Sequence, residues 1–146
     1  MNKTFALKKE NIKQDWTFID ANDKILGVVA AEAVKKLMGK HKATFTNTMN
    51  MGDKVVIVNA EKVAITGNKL LDKKYNWHTG FPKGLREESM GHLMNRKPTE
   101  VLKRAISGML PKNKLRKVRM ANLYIYAGPE HKHSAQQNAP KKVLSA

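Results

Sequence analysis

The chain has 146 residues, 28 Lys plus Arg against 12 Asp plus Glu, a formal net charge of +16 and no cysteine. Its length suits one domain with a real core, and its 41% hydrophobic residues are enough to fold it. The composition excludes a disulfide framework, a thiolate zinc site and a thiol nucleophile, and the longest apolar runs, such as Val28–Ala31 and Val55–Val58, are far too short to span a bilayer.

The first residues carry no apolar signal-peptide core, so the Asn2-Lys3-Thr4 sequon is expected to be silent and the domain intracellular. Trp16–Asp20 reads as a first strand, closed by a turn at Ala21-Asn22-Asp23. Leu26, Val29, Ala30, Ala33, Val34 and Leu37 then recur at helical spacing, and Gly39 is a natural C-terminal stop. Val55–Val58 is apolar at every position, the mark of a strand covered on both faces in a parallel sheet. Strand, helix and buried strand make a βαβ unit. Lys62–Thr66 reads as a further short extended segment, ending at Gly67-Asn68.

Residues 68–88 are polar, basic and rich in turn formers, with an exposed extended segment at Lys74–His78 and an irregular loop through Gly80, Pro82 and Gly84. Ser89 caps a short helix carrying Met90, Leu93 and Met94. Pro98 opens another helix whose buried stripe is Val101, Leu102, Ala105, Ile106 and Met109, and Pro111 ends it. The basic stretch Lys112–Arg119 leads to a last strand, Leu123–Tyr126, broken by Gly128-Pro129. The globular part is thus expected over 14–128, with a polar tail over 129–146 that has little to pack.

The charge is unevenly spread. Residues 51–68 are neutral, whereas 112–119 carry five cations and no acid, and 35–42 carry four lysines and no acid. A charge of this size repels itself, and an anionic partner relieves it; nucleic acid comes first and a membrane surface a distant second. Cations on loops and helix ends are what phosphate contact requires, and such binding weakens steeply with salt. Tyr75, Trp77, His78 and Phe81 lie among these charges, where rings can cover unstacked RNA bases. Tyr75 and His78 read as facing RNA, and Trp77 and Phe81 equally as core or RNA-facing.

Other chemistry finds little support. Gly39-Lys40 lacks the earlier glycine and following hydroxyl of a phosphate-binding loop, since Val34 and His41 stand there. His131-x-His133 has ligand-like spacing, but no further ligand cluster is near, and zinc needs three or four. The acids read as salt-bridge partners, Glu100 with Lys103 or Arg104 for example, and no nucleophile–base pair stands out.

The ordered motifs resemble the bacterial form of the thirteenth large-subunit ribosomal protein family. They are D-W-T-F-I-D-A (15–21), L-G (26–27), G-K-H-K (39–42), G-D-K-V-V-I-V-N-A-E-K-V (52–63), T-G-N-K (66–69), H-T-G-F-P-K-G (78–84), G-M-L-P-K (108–112), Y-A-G (126–128) and E-H-K-H-S-A-Q-Q (130–137). The departures are Asn22-Asp23 for the family's Thr-Gly, Val28 for its Arg, Asn47-Thr48-Met49-Asn50 for its Pro-His-Val-Asp, and Asn113 and Arg116 for its glycines.

The resemblance implies a single three-layer α/β/α domain with a mainly parallel four-stranded sheet. It also implies a structural constituent of the large ribosomal subunit that contacts the large ribosomal RNA, joins early in assembly and works beside neighbouring ribosomal proteins in the cytoplasm. Binding of its own messenger as a translational repressor is the second possibility. No enzyme activity, cofactor, metal, membrane or small-molecule substrate is expected. The expected RNA contacts are Lys35, Lys36, Lys40, His41 and Lys42 at the helix end, and Lys69, Lys73, Lys74 and His78 in the exposed segment. To these are added Lys112, Lys114, Arg116, Lys117 and Arg119, then His131 and His133 in the tail.

Overall fold

The computed structural model describes residues 8–137, so the Asn2-Lys3-Thr4 sequon and the tail from 138 onward lie outside the described residues. Strands β1 (Trp16–Asp20), β2 (Lys54–Val58) and β5 (Leu123–Ile125) form a parallel sheet in the order β1-β2-β5. Phe18, Val56 and Tyr124 stand side by side in register. Helix α1 (Leu26–Met38) makes the expected crossover between β1 and β2. The long excursion from β2 to β5 holds a helical turn α2 (Lys69–Asp72) and the strands β3 (Lys74–His78) and β4 (Leu85–Ser89). It continues through helices α3 (Met90–Arg96), α4 (Pro98–Met109) and α5 (Leu115–Ala121).

Alternation along the strands gives each face its own covering. One face presents Ile19, Val55, Ile57, Leu123 and Ile125 to the apolar stripes of α1 and α4, where Val29, Ala33, Leu102 and Ile106 are buried. Each fully buried side chain of this kind contributes about 1.5–3 kcal/mol. The other face presents Trp16, Phe18, Val56 and Tyr124, and the segment after Gly128 lies across it, ending in a single turn, α6 (Ser134–Gln137), against β1. Val56 is fully buried, which explains why β2 is apolar on both faces.

Five expectations change. The main sheet of the described residues has three strands rather than four, because Lys62–Thr66 contributes only one parallel bridge, Ile25–Ala64. Its backbone pairs with Lys24 and Leu26, the entry to α1, and no strand runs beside it. The stretch after Gly84 is a strand paired antiparallel with β3, and 115–121 is a helix. The start of the tail packs rather than hangs free, since its histidine rings cover the sheet. Met109 also leaves the buried stripe and is 47% exposed.

Local rules account for the joints. Ser89 accepts from the His92 N–H as the cap of α3, and Pro98 occupies the first turn of α4. Asp23 has φ +54°, a left-handed position of the kind glycine fills most readily and Asp tolerates. Glu88 holds the β3–β4 hairpin to α3 through Arg96 Nη2 at 2.7 Å and His92 Nδ1 at 2.7 Å.

The Arg96 hydrogen bond, with His92 beside it, keeps the Glu88 carboxyl below the usual carboxylate range. A depressed acid contributes stability that is complete above its unfolded pKa and lost as pH falls through the folded one. Glu88→Gln is therefore expected to flatten the acid side of the pH–stability curve below about pH 4.3, the ordinary glutamate value. Urea midpoints measured from pH 3 to 6 check this, and a slope equal to the parent's would contradict it.

Candidate nucleic-acid interface

In a parallel sheet the chain segments that lead into the strands gather at one edge. That edge collects the two richest basic stretches here. Residues 39–53 run from α1 into β2, α5 runs into β5, and α1 touches α5.

Gly39 closes α1 in a left-handed conformation (φ +79°), its N–H bonding the Lys36 carbonyl and the Lys40 N–H reaching that of Lys35. Gly52 crosses this end backbone to backbone. A Cβ on Gly52 would stand 1.7 Å from the Leu37 carbonyl oxygen, so no side chain is possible there.

Asp53, 2% exposed, ties the loop together. Its carboxylate meets His41 Nε2 at 2.8 Å and Lys42 Nζ, and accepts the Asp15 N–H. Lys42 also donates to the carbonyls of Lys13 and Met51. His41 and Lys42 thus hold the loop's shape, while Lys35 and Lys40 stand exposed and Lys36 half-buried.

Just before α5 Lys112 and Lys114 are exposed, and on it Lys117 is exposed and Arg116 half-buried. Arg119 is only 1% exposed, and its guanidinium nitrogens have no partner among the described residues. Burial pushes its pKa down. Helical spacing puts Leu115 and Arg119 on one inward side, a direction invisible while 112–119 reads only as a basic stretch. Arg119 therefore does not share the surface of its four neighbours.

A second group sits beyond the opposite edge, where β2 ends. Lys69 donates to Thr66 Oγ1, Lys73 lies over the Tyr75 ring, Lys74 pairs with Glu87 at 3.2 Å, and His78 Nδ1 accepts the Gly80 N–H. All four are exposed, and an exposed pair such as Lys74–Glu87 contributes at most about 1 kcal/mol, so these cations are not tied down. Tyr75 turns inward instead: it packs beside Met90, Leu93 and Val101 with Arg104 over its ring at 4.9 Å. Burial raises its phenol pKa, with Arg104 opposing. Trp77 and Phe81 face solvent. Lys83 and Arg86, passed over when 79–88 reads as irregular, stand on the same hairpin; the β3–β4 alternation is the signal that places Arg86 beside Trp77.

His131 and His133 join neither group. The His131 ring lies 5.5 Å from Phe18, and the His133 ring lies 4.8 Å from Trp16 and 4.6 Å from Tyr124. They floor the open face of the sheet. Among the described residues no three His, Asp or Glu side chains converge as metal ligands do, and no helix is long and apolar enough to cross a membrane.

With this geometry in place, comparison with known proteins is specific. The family model described as Ribosomal protein L13 matches residues 14–132. Large ribosomal subunit protein uL13 of Pelobacter propionicus is 51% identical over 143 residues, covering 98% of this chain and 99% of that protein. The protein of that name from Aromatoleum aromaticum is 50% identical over 135 residues, 92% of this chain and 95% of its own. That of Halorhodospira halophila is 44% identical over 141 residues, 97% and 99% respectively.

Proposed function

Because the chain belongs to the ribosomal protein L13 family, we propose that it is a structural constituent of the large ribosomal subunit and binds the large ribosomal RNA through distributed phosphate contacts. The observation that carries the mechanism is the shared edge. Lys35, Lys40, Lys112, Lys114 and Lys117 are exposed there, and Gly39, Gly52 and Asp53 fix the backbone at the end of α1 that carries Lys40. Rigid placement matters because each cation that meets a phosphate releases counterions without first ordering a loop. Lys69, Lys73, Lys74 and His78 supply a second group at the far edge, so one molecule can bridge separate RNA segments. Such bridging suits a protein that joins early and stabilises RNA folds before other proteins arrive in the cytoplasm.

The reading has no catalytic step. The two buried acids among the described residues, Asp53 and Glu88, are engaged in holding structure. The test is sedimentation of a cell lysate through a sucrose gradient. The protein is expected in the large-subunit fractions, and its depletion is expected to leave particles lighter than the mature subunit. A chain found only at the top of the gradient would favour a role on its own messenger and overturn the ribosomal reading.

A further inference from the structure

The β3–β4 hairpin is built as a finger. At its base Tyr75 and Glu88 face each other across the two strands and are held by the body: Tyr75 in the Met90–Leu93–Val101 cluster, Glu88 by Arg96 and His92. The Lys73 carbonyl accepts the Met90 N–H, which fixes the hairpin's root to the start of α3. One step outward on the same face come Trp77 and Arg86, opposite each other and both exposed.

The tip is equally ordered. The Thr79 N–H and hydroxyl donate to the Gly84 carbonyl, and the Gly84 N–H donates to that of Phe81. A Cβ on Gly84 would meet Thr79 Oγ1 at 2.3 Å, so the turn closes too tightly for any other residue. This closure leaves Phe81 72% exposed at the end of the finger, with Leu85 at 59% and Trp77 at 43% behind it.

A two-stranded ribbon gains little stability of its own, and large apolar rings held out on one cost solubility. The charge around them identifies the occupant. Lys73, Lys83 and Arg86 make no ion pair among the described residues, and Glu87, next to Arg86, is already paired with Lys74. Rings set among cations suit a flat, apolar group attached to a chain of anions, which is a nucleotide. Bases in a paired helix have their faces covered by neighbours, so only unpaired ones can stack on a side chain.

We propose that the β3–β4 hairpin is a stacking finger for unpaired bases of the bound RNA, with Trp77 and Phe81 covering base faces while Lys83 and Arg86 take the flanking phosphates. The inference rests on the RNA-binding reading above and assigns the finger the recognition of looped rather than paired RNA.

The test titrates the full-length protein with the single strand rU12 and with a 12-base-pair RNA duplex. Saturable quenching of tryptophan emission is expected with rU12 and not with the duplex. Trp77→Phe should lose the quenching, which assigns the signal to Trp77 rather than Trp16. The double variant Trp77→Ala, Phe81→Ala should bind rU12 at least about 25-fold more weakly, since each stacked base contributes about fivefold or more. Undiminished binding by that double variant would overturn the finger while leaving the ribosomal reading intact. So would normal RNA binding combined with exclusion from large subunits, because the rings would then be meeting a protein. A parent protein that binds neither rU12 nor large-subunit particles would overturn both readings together.

Discussion

Changing Lys112, Lys114, Arg116 and Lys117 together to glutamine is expected to remove most incorporation into large subunits and to make RNA binding less sensitive to salt. Each phosphate contact adds about 0.7–0.9 to the slope of log affinity against log salt, so losing four lowers the slope by about 3. Because such contacts vanish near 1 M salt, the affinity at 0.15 M falls by about two orders of magnitude. The fold should survive, since three of the four are exposed and the fourth is half-buried. Arg119→Gln supplies the contrast. Its guanidinium lies inside the helix packing, so this change should leave the slope unaltered. Filter binding over 50–500 mM salt measures both. A quadruple variant with the parent's slope would remove the α5 region from the interface.

The largest effect on stability is expected at Asp53. Asp53→Ala strips the only carboxylate that meets His41 and Lys42 among the described residues, and Lys42 then keeps a charge in a site where its side chain is 17% exposed. Removing one member of a buried pair costs about 3–5 kcal/mol, a large share of a total stability of about 5–15 kcal/mol. Replacing both partners, as in Asp53→Leu with Lys42→Met, should cost distinctly less, because no orphaned charge remains. Urea unfolding reports the difference as a shift in midpoint at constant slope. An Asp53→Ala variant within 1 kcal/mol of the parent would show that the loop 39–53 does not depend on this pair. The functional consequence follows from position: the same loop presents Lys40 and fixes the start of β2.

The core was legible because its signals are local and periodic. The stripe of α1, the unbroken apolar run of β2, the Ser89 cap and Pro98 each act within a few residues, and each stands where the sequence places it. What escaped depends on pairing and burial that the local pattern does not carry. β4 reads L-R-E-E-S, with no apolar alternation; it is a strand because β3 offers it a register. The basic run 112–119 hides a helix because four of its five cations are exposed or half-buried and the buried one is itself an arginine.

The candidate site was legible as charge and less so as geometry. His41 and Lys42 sit in the densest lysine run, yet Asp53, eleven residues beyond Lys42, turns them inward. His131 and His133 have the spacing of ligands, and alternate residues of an extended segment are also what is needed to lay two rings on one sheet face. Spacing alone cannot separate those uses. The edge shared by 35–42 and 112–119 needed the strand order, which places the end of α1 beside α5 although about eighty residues of chain lie between them.

The central claim is that many fixed cations, shared between two edges, hold RNA by its phosphates. It is tested most directly by the salt dependence of the parent protein's binding to large-subunit particles lacking it. A linear fall of log affinity with log salt is expected, with a slope of about −5 or steeper, as about seven or more phosphate contacts require. A slope between 0 and −1 would mean that the cations merely face solvent, and would contradict the account.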